Sequence, residues 1–486
     1  MTIILFFSVS FMMLFRLFIF ILGLILLAPV YGAEKPNIVF LLADDMSRDT
    51  WGAYGGKDCK TPNIDKLAHQ GVIFKNAYCT VAMCAPFRQE LYSGRTPWRT
   101  TTLANHSSST PDTKSIAHYL KPLGYRTALI GKGHIGPKQA YPFERFKANK
   151  NKTERTTKYN NGENDEFMNA ANNFMDSCAE DNSPFCLFIA SHDSHAPFTT
   201  GDSSMYDASK LEVPPYWLDT PILRENMRRY YAEISNFDTL VGRVRIELES
   251  RGLWRKTIFI VCSEQGTQLP FAKWTCYDNG LHTGLVAHCP ELIQPGSKID
   301  ELISIADITP TLVEIAGGKL SEGDCDGKSF MKLLEGKSED VHQYVYGAFT
   351  NCNIIHNNER IFPIRVIRDK SFSLIYNPNY KRITSNLTLS LALKRLSGED
   401  SSRNDIGSSW VKLANTSDNA KDLVHKLHHR PEFEFYNREN DPYELKNEIL
   451  NPEYAGVVQK MKAQLKKRLA ELGDEDPIET EKALVR

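Results

Sequence analysis

The chain reads as an α/β protein: a large mixed, mostly parallel sheet sandwiched by helices, followed by a smaller C-terminal α+β subdomain on an antiparallel sheet. Three observations predict this. Four near-continuous apolar runs each end in a burst of polar residues, helical segments lie between them, and past residue 345 the apolar residues begin to alternate with polar ones. Runs apolar on both faces suit strands buried on both sides, as in a parallel sheet covered by helices.

Residues 1–33 differ in kind from the rest. Arg16 precedes an apolar stretch over 17–27, and Pro29-Val30-Tyr31-Gly32-Ala33 leads to the charged Glu34-Lys35. A cation, an apolar middle and small residues at Val30 and Gly32 fit a cleaved export signal. The long apolar lead before Arg16 points to a translation start at Met12 or Met13, and an uncleaved membrane anchor is the rival reading. No cysteine follows the run, so lipid attachment is not expected. The expected location is periplasmic or secreted, without stable membrane insertion after cleavage.

The four runs deliver the chemistry. Asn37-Ile38-Val39-Phe40-Leu41-Leu42-Ala43 gives way to Asp44-Asp45, and residues 126–130 to Gly131-Lys132-Gly133-His134. Phe185-Cys186-Leu187-Phe188-Ile189-Ala190 runs into Ser191-His192-Asp193-Ser194-His195, and residues 257–262 into Ser263-Glu264-Gln265-Gly266. The carboxyl ends of such strands carry the site, so these polar groups should share one edge. Between them, Thr61-Pro62-Asn63-Ile64-Asp65 opens a helix that stops at Gly71, and residues 228–251 form an amphipathic helix with Tyr231, Ile234, Phe237, Leu240, Val241 and Val244 on one face.

Cys84-Ala85-Pro86-Phe87-Arg88, closed by Gly94, is the most informative stretch. Pro86 suits a first helical position and Gly94 a stop, so the helix amides and Arg88 should both face the Cys84 side chain. An anion would bind there.

A catalytic unit is expected over residues 34–345, ending after Asp307-Ile308-Thr309-Pro310-Thr311-Leu312 and its helix, and a C-terminal subdomain over 346–486. Residues 361–368 and 372–376 read as antiparallel strands, 454–472 as a terminal helix, and the polar stretch 394–422 as an excursion or mobile loop. With 58 basic and 59 acidic residues and no basic run, nucleic acid is not expected as a partner. Ten scattered cysteines neither define a disulfide scaffold nor pair into a metal-binding pattern.

With Cys84-x-Pro86-x-Arg88 and the four strand ends in view, the chain resembles the type I sulfatases of the alkaline phosphatase superfamily. The resemblance extends to Pro36-Asn37, Thr61-Pro62-Asn63-Ile64-Asp65, Gly124-Tyr125-Arg126-Thr127 and Asn440-Asp441-Pro442-Tyr443-Glu444. Leu211-Glu212-Val213-Pro214-Pro215 and Ala272-Lys273-Trp274-Thr275 look most like the heparan N-sulfatase (sulfamidase) branch.

The resemblance implies an alkaline phosphatase-like fold and oxidation of Cys84 to formylglycine (3-oxoalanine) by a maturation enzyme. A hydrated aldehyde carries two hydroxyls: one attacks the sulfate sulfur, and deprotonation of the other expels sulfate. It further implies one Ca2+ per chain, held by Asp44, Asp45, Cys84, Glu264 and Gln265, although this ligand set alone would also suit magnesium or manganese. Most relatives carry Asp-Asn or Asp-His where this chain has Glu264-Gln265, each one methylene longer, so a retained but reshaped metal site is expected. Arg88 would brace the nucleophile, Lys132 would touch it and the sulfate, and His134 would accept a proton from the spare hydroxyl. His195 and Lys273 would bind sulfate oxygens and assist the leaving group, while His192 would play a supporting part.

Asn105, His106, Trp274 and His282 flank site segments and are candidate sugar contacts. The expected substrate is a sulfated carbohydrate, N- or O-sulfated. The rival readings are a phosphodiesterase or phosphonate monoester hydrolase of the same superfamily, and a catalytically inactive glycan-binding relative.

Overall fold

In the computed structural model, which describes residues 35–146, 162–289, 291–352, 361–384 and 406–485, the apolar run Asn37–Ala43 is β1 and lies inside the main sheet. The expected export signal falls outside the described residues. The remaining strands of this sheet are β2 (Val72–Tyr78), β3 (Arg126–Gly131), β4 (Glu144–Phe146), β5 (Phe185–Ala190), β6 (Thr257–Ser263), β7 (His282–Thr283), β8 (Leu285–His288) and β9 (Ser297–Ser304). Their order is β4-β3-β5-β1-β6-β8-β2-β7, with β9 paired to β2. The strands from β4 to β6 run parallel; β7 and β8 are antiparallel to β2, and β8 to β6.

Register decides where the polar bursts emerge. Leu42 pairs with Ala190 of β5 and Cys262 of β6, and Gly131 of β3 also pairs with Ala190, so the strand ends are level. Backbone bonds continue past them: Asp44 N donates to Asp193 O at 2.7 Å, Lys132 N to Ala190 O at 2.8 Å and Glu264 N to Ala43 O at 3.0 Å. Asp44, Lys132, Ser191 and Glu264 therefore leave the sheet at one edge, as the sequence predicts.

The helix Cys84–Ser93 is buried along its whole length. Tyr92 meets Phe188 of β5 edge-on at 4.9 Å, and Phe188 packs on Phe40 of β1 at 5.3 Å, so the helix is locked to the sheet centre. Gly94 ends it in the left-handed region at φ 67, donating to Glu90 O at 2.9 Å. Pro86 is the third helical residue, not the first: Met83 takes the extended cap conformation and Cys84 starts the helix. A proline costs little there, because first-turn N–H groups have no partner within the helix.

The helix expected over 228–251 spans Pro221–Ser250 and begins seven residues earlier. Thr220 caps it by accepting from Leu223 N at 3.2 Å. Arg224 and Glu225 in its first two turns form surface ion pairs, so the apolar stripe that marks the rest of the helix is missing there.

A second, antiparallel sheet is formed by β10 (Val345–Phe349), β11 (Ile364–Arg368), β12 (Phe372–Tyr376) and β13 (Phe433–Asn437) in that order. One face packs Ile367, Leu374 and Phe435 on Met461 and Leu465 of the terminal helix Ala455–Glu471. The other packs Ile364, Val366, Ile375 and Tyr436 into the main core. The alternating pattern of β11 thus does not mark a wet face. Arg365 and Arg368 are both buried, Arg365 against Asp474 at 2.5–3.0 Å. Asp474→Ala should cost about 3–5 kcal/mol of stability, because it strands a buried guanidinium; thermal melts of the two proteins check this.

The stretch expected as an excursion over 394–422 instead carries helices Ile406–Leu413 and Asp418–His428, and residues 385–405 lie outside the described residues. Ile406, Trp410, Ala420, Leu423 and Leu427 are buried at helical spacing, a stripe that the surrounding serine and aspartate mask in the sequence. Among the described residues, no helix is long and apolar enough to cross a membrane.

Candidate active site

Four segments leaving the main sheet meet the start of the Cys84 helix. Asp44, Asp45, Glu264 and Gln265 are fully buried, and Cys84 is nearly so. Cys84 Sγ lies 3.4 Å from Asp44 Oδ1, 3.8 Å from Asp45 Oδ1, 3.5 Å from Gln265 Nε2 and 3.3 Å from Lys273 Nζ. Asp45 takes a left-handed φ of 53, and His134 shares that value, so both bends carry local strain at the site. Tyr230, not singled out in the sequence, accepts from Ser47 N at 2.8 Å and its hydroxyl lies 3.4 Å from Asp45 O. It thereby fixes the turn after β1.

Cations surround the carboxylates. Arg88 Nε is 2.6 Å from Glu264 Oε1, Arg88 Nη1 donates to Lys132 O at 2.7 Å, and Nη2 stands 3.8 Å from Asp44. Lys132 Nζ pairs with Asp44, and Lys273 Nζ with Asp45 at 2.6 Å. His195 Nε2 is 3.6 Å from Asp45, and its Nδ1 lies 2.7 Å from Ala196 O. Burial pulls Asp44 upward, but Lys132 and Arg88 outweigh it and hold the carboxyl well below its usual range. Burial and the Asp44 charge push Glu264 up, although Arg88 opposes them.

The positive surroundings expected for Cys84 are outweighed. Burial first, then Asp44 and Glu264, push its thiol well above the ordinary value, against Lys132 and Lys273. Arg88, one helical turn on, spends its guanidinium on Glu264, Asp44 and Lys132 O rather than on the sulfur.

His134 sits at the rim. Its Nε2 is 2.6 Å from His106 Nδ1, and its Nδ1 is buried without a hydrogen-bond partner among the described residues. Burial, followed by Lys132 and Arg88, lowers its pKa to about 3, so the ring is neutral. His106, expected as a sugar contact, is thus beside the site and exposed. Trp274 follows Lys273 and is buried, its indole N–H without a partner among the described residues. His282 is placed differently: Nδ1 is 2.8 Å from Asp278, Nε2 2.7 Å from Lys75 O, and the ring stacks on Tyr78. Both nitrogens are consumed inside the fold, which leaves none for a sugar. His192, expected as a supporting residue, is 2.5 Å from Glu163.

The residues fit a hard divalent cation. Ligand atoms of Asp44, Asp45, Cys84 and Glu264 all lie within 4.8 Å of one another, and so do those of Asp44, Cys84 and His195. Gln265 turns its nitrogen, not its oxygen, to Asp45 and Cys84, because facing carboxylates call for a donor. Its Oε1 is left buried without a hydrogen-bond partner among the described residues. Half a turn of the amide exchanges the two atoms and adds an oxygen ligand to the carboxylate set.

Buried lysines set against a buried cluster of carboxylates, at the carboxyl edge of this sheet, suit the hydrolysis of a charged ester. The sulfatase family profile matches residues 36–318, and the chain belongs to that family, the type I sulfatases of the alkaline phosphatase superfamily, which are sulfuric ester hydrolases. The profile of the N-sulphoglucosamine sulphohydrolase C-terminal region matches residues 266–388.

An ulvan-active sulfatase of Formosa agariphila is 34% identical over 88% of this chain and 79% of its own length. The N-sulphoglucosamine sulphohydrolase of Homo sapiens is 26% identical over 92% of both. Among solved structures, one holding D-glucosamine-2-N,6-O-disulfate covers 92% of this chain and all of its own, with a TM-score of 0.68 at 19% identity. The phosphonate monoester hydrolase of Agrobacterium radiobacter covers 90% of this chain and 96% of its own with the same score at 18% identity. These two likenesses are of fold.

Proposed function

We propose that this sulfatase removes sulfate esters or sulfamates from a sulfated glycan, with residue 84 as formylglycine and a bound Ca2+. The observation that carries the reading is the convergence of Asp44, Asp45 and Glu264 on Cys84, with Lys132 and Lys273 laid against the carboxylates. Relatives named for ulvan and for N-sulphoglucosamine, and the profile match over residues 266–388, support a sugar substrate.

Once formed, the hydrated aldehyde at residue 84 supplies the attacking hydroxyl, and the cation, when bound, lowers that hydroxyl's pKa and neutralises sulfate oxygens. The chain's own side chains do the rest. Lys132 and Lys273 hold the charge that develops on the sulfate oxygens. His134, neutral and with Nδ1 free of a hydrogen bond among the described residues, takes the proton of the second hydroxyl at that atom. His195 assists the leaving group, Arg88 fixes Glu264 and Asp44, and His106 and Trp274 face the sugar. Residues 34–345 serve as the catalytic unit and 346–486 as its C-terminal subdomain, and residues 1–33 direct export.

The deciding experiment compares aryl sulfate with aryl phosphate and aryl phosphonate turnover by protein made together with the maturation enzyme. Sulfate release alone supports the proposal; preferred cleavage of the phosphonate supports the rival hydrolase. Retained glycan binding without any turnover supports an inactive relative. The tryptic peptide carrying residue 84 should be lighter than its thiol form by mass spectrometry, and an unchanged thiol in active protein would overturn the nucleophile.

A further inference from the structure

The motif Asn440-Asp441-Pro442-Tyr443-Glu444 belongs to the family resemblance but has no place in the chemistry above. In the fold, Glu444 is nearly fully buried and holds a left-handed φ of 54. Its carboxylate accepts from Asp278 N at 2.7 Å, from Arg368 Nη1 at 2.6 Å and from the Ser373 hydroxyl. Arg368 Nη2 in turn donates to Cys276 O. Residues of β11, β12 and the turn after β13 thereby grip consecutive backbone groups three to five positions past Lys273.

That grip matters because the Lys273 segment has an unfavourable shape of its own. Phe271 and Trp274 both adopt left-handed φ angles, 65 and 64, which non-glycine residues avoid. Upstream, the backbone is tied by Lys273 N to Thr267 O at 2.9 Å and by Trp274 N to Ala82 O at 3.2 Å. The downstream tie adds a third backbone anchor to these two, while the Asp45 pair holds Lys273 Nζ beside Cys84.

We infer that Glu444 is a positioning residue: through Arg368 and the Cys276–Asp278 backbone it sets where Lys273 stands against the sulfate. This rests on Lys273 being a sulfate-binding group. The test is a double-mutant cycle of Glu444→Gln with Lys273→Ala, read as inorganic sulfate affinity by calorimetry at fixed Ca2+. Glu444→Gln should weaken sulfate binding by roughly tenfold with Lys273 present and by less than about twofold without it. Its effect on the melting temperature should be the same in both backgrounds.

Equal weakening in both backgrounds, or none in either, overturns the inference. Should Glu444→Gln not fold, Ser373→Ala removes one neutral donor to the same carboxylate and carries the same cycle with a smaller expected factor. Wild-type protein that turns over no aryl sulfate refutes the reading of function, and the sulfate-affinity cycle still judges the grip.

Discussion

Cys84→Ala should abolish sulfate-ester turnover, by on the order of 10⁴–10⁶-fold, while leaving the fold in place. That is about 5–8 kcal/mol of transition-state stabilisation, beyond what loss of a single hydrogen bond removes. The structure explains why so large a loss should come without unfolding. Cys84 starts its helix, where alanine is well tolerated, and its sulfur is ringed by polar groups that pair with one another: Lys273 with Asp45, Lys132 with Asp44, Arg88 with Glu264. Removing the sulfur deletes few apolar contacts, so the stability change should stay near 1 kcal/mol. Turnover of an aryl sulfate and a thermal melt of the same preparation check the two halves. A variant that keeps near wild-type turnover means that the nucleophile lies elsewhere.

The same ring of pairs shows what a sequence can and cannot disclose. The edge at which Asp44, Lys132 and Glu264 emerge was legible, because near-continuous apolar runs fix a buried parallel sheet and its register makes the strand ends level. The reach of the cations was not. Arg88 lies one helical turn from Cys84, and spacing alone aims it at the sulfur; the carboxylates that claim it arrive from strands far away in the chain. His282 has the same lesson in reverse, since Asp278, at the start of the short helix Asp278–Leu281, holds one ring nitrogen and β2 brings in the Lys75 carbonyl, 207 residues away, for the other. The burial of the β11 arginines was not legible either, because their partners Asp474 and Glu444 follow 109 and 76 residues downstream with no pattern to announce them. Helix Ile406–Leu413 was hidden for another reason: serine and aspartate dominate the composition around it, and its buried stripe is only two side chains long.

Asp45→Asn should empty the cation site and reduce turnover by roughly 10³-fold or more, because the site then loses one of three carboxylates and its hold on the sulfate charge. Asparagine is the informative replacement. Asp45 occupies a left-handed φ of 53, which asparagine tolerates and alanine does not, and Tyr230 and Ser194 hold that backbone from behind. Alanine would also leave the buried Lys273 ammonium without its 2.6 Å partner, adding a stability loss of about 3–5 kcal/mol that has nothing to do with metal. With asparagine an oxygen remains near Lys273, and the change is confined to charge. Ca2+ affinity, measured by calorimetry on the unmodified protein, should fall at least about 100-fold, since loss of groups merely supporting a ligand already costs 10–100-fold. Raising Ca2+ should restore part of the turnover in Asp45→Asn and none in Cys84→Ala. That split separates a weakened cation from a missing nucleophile, and unchanged Ca2+ affinity in Asp45→Asn would remove Asp45 from the ligand set.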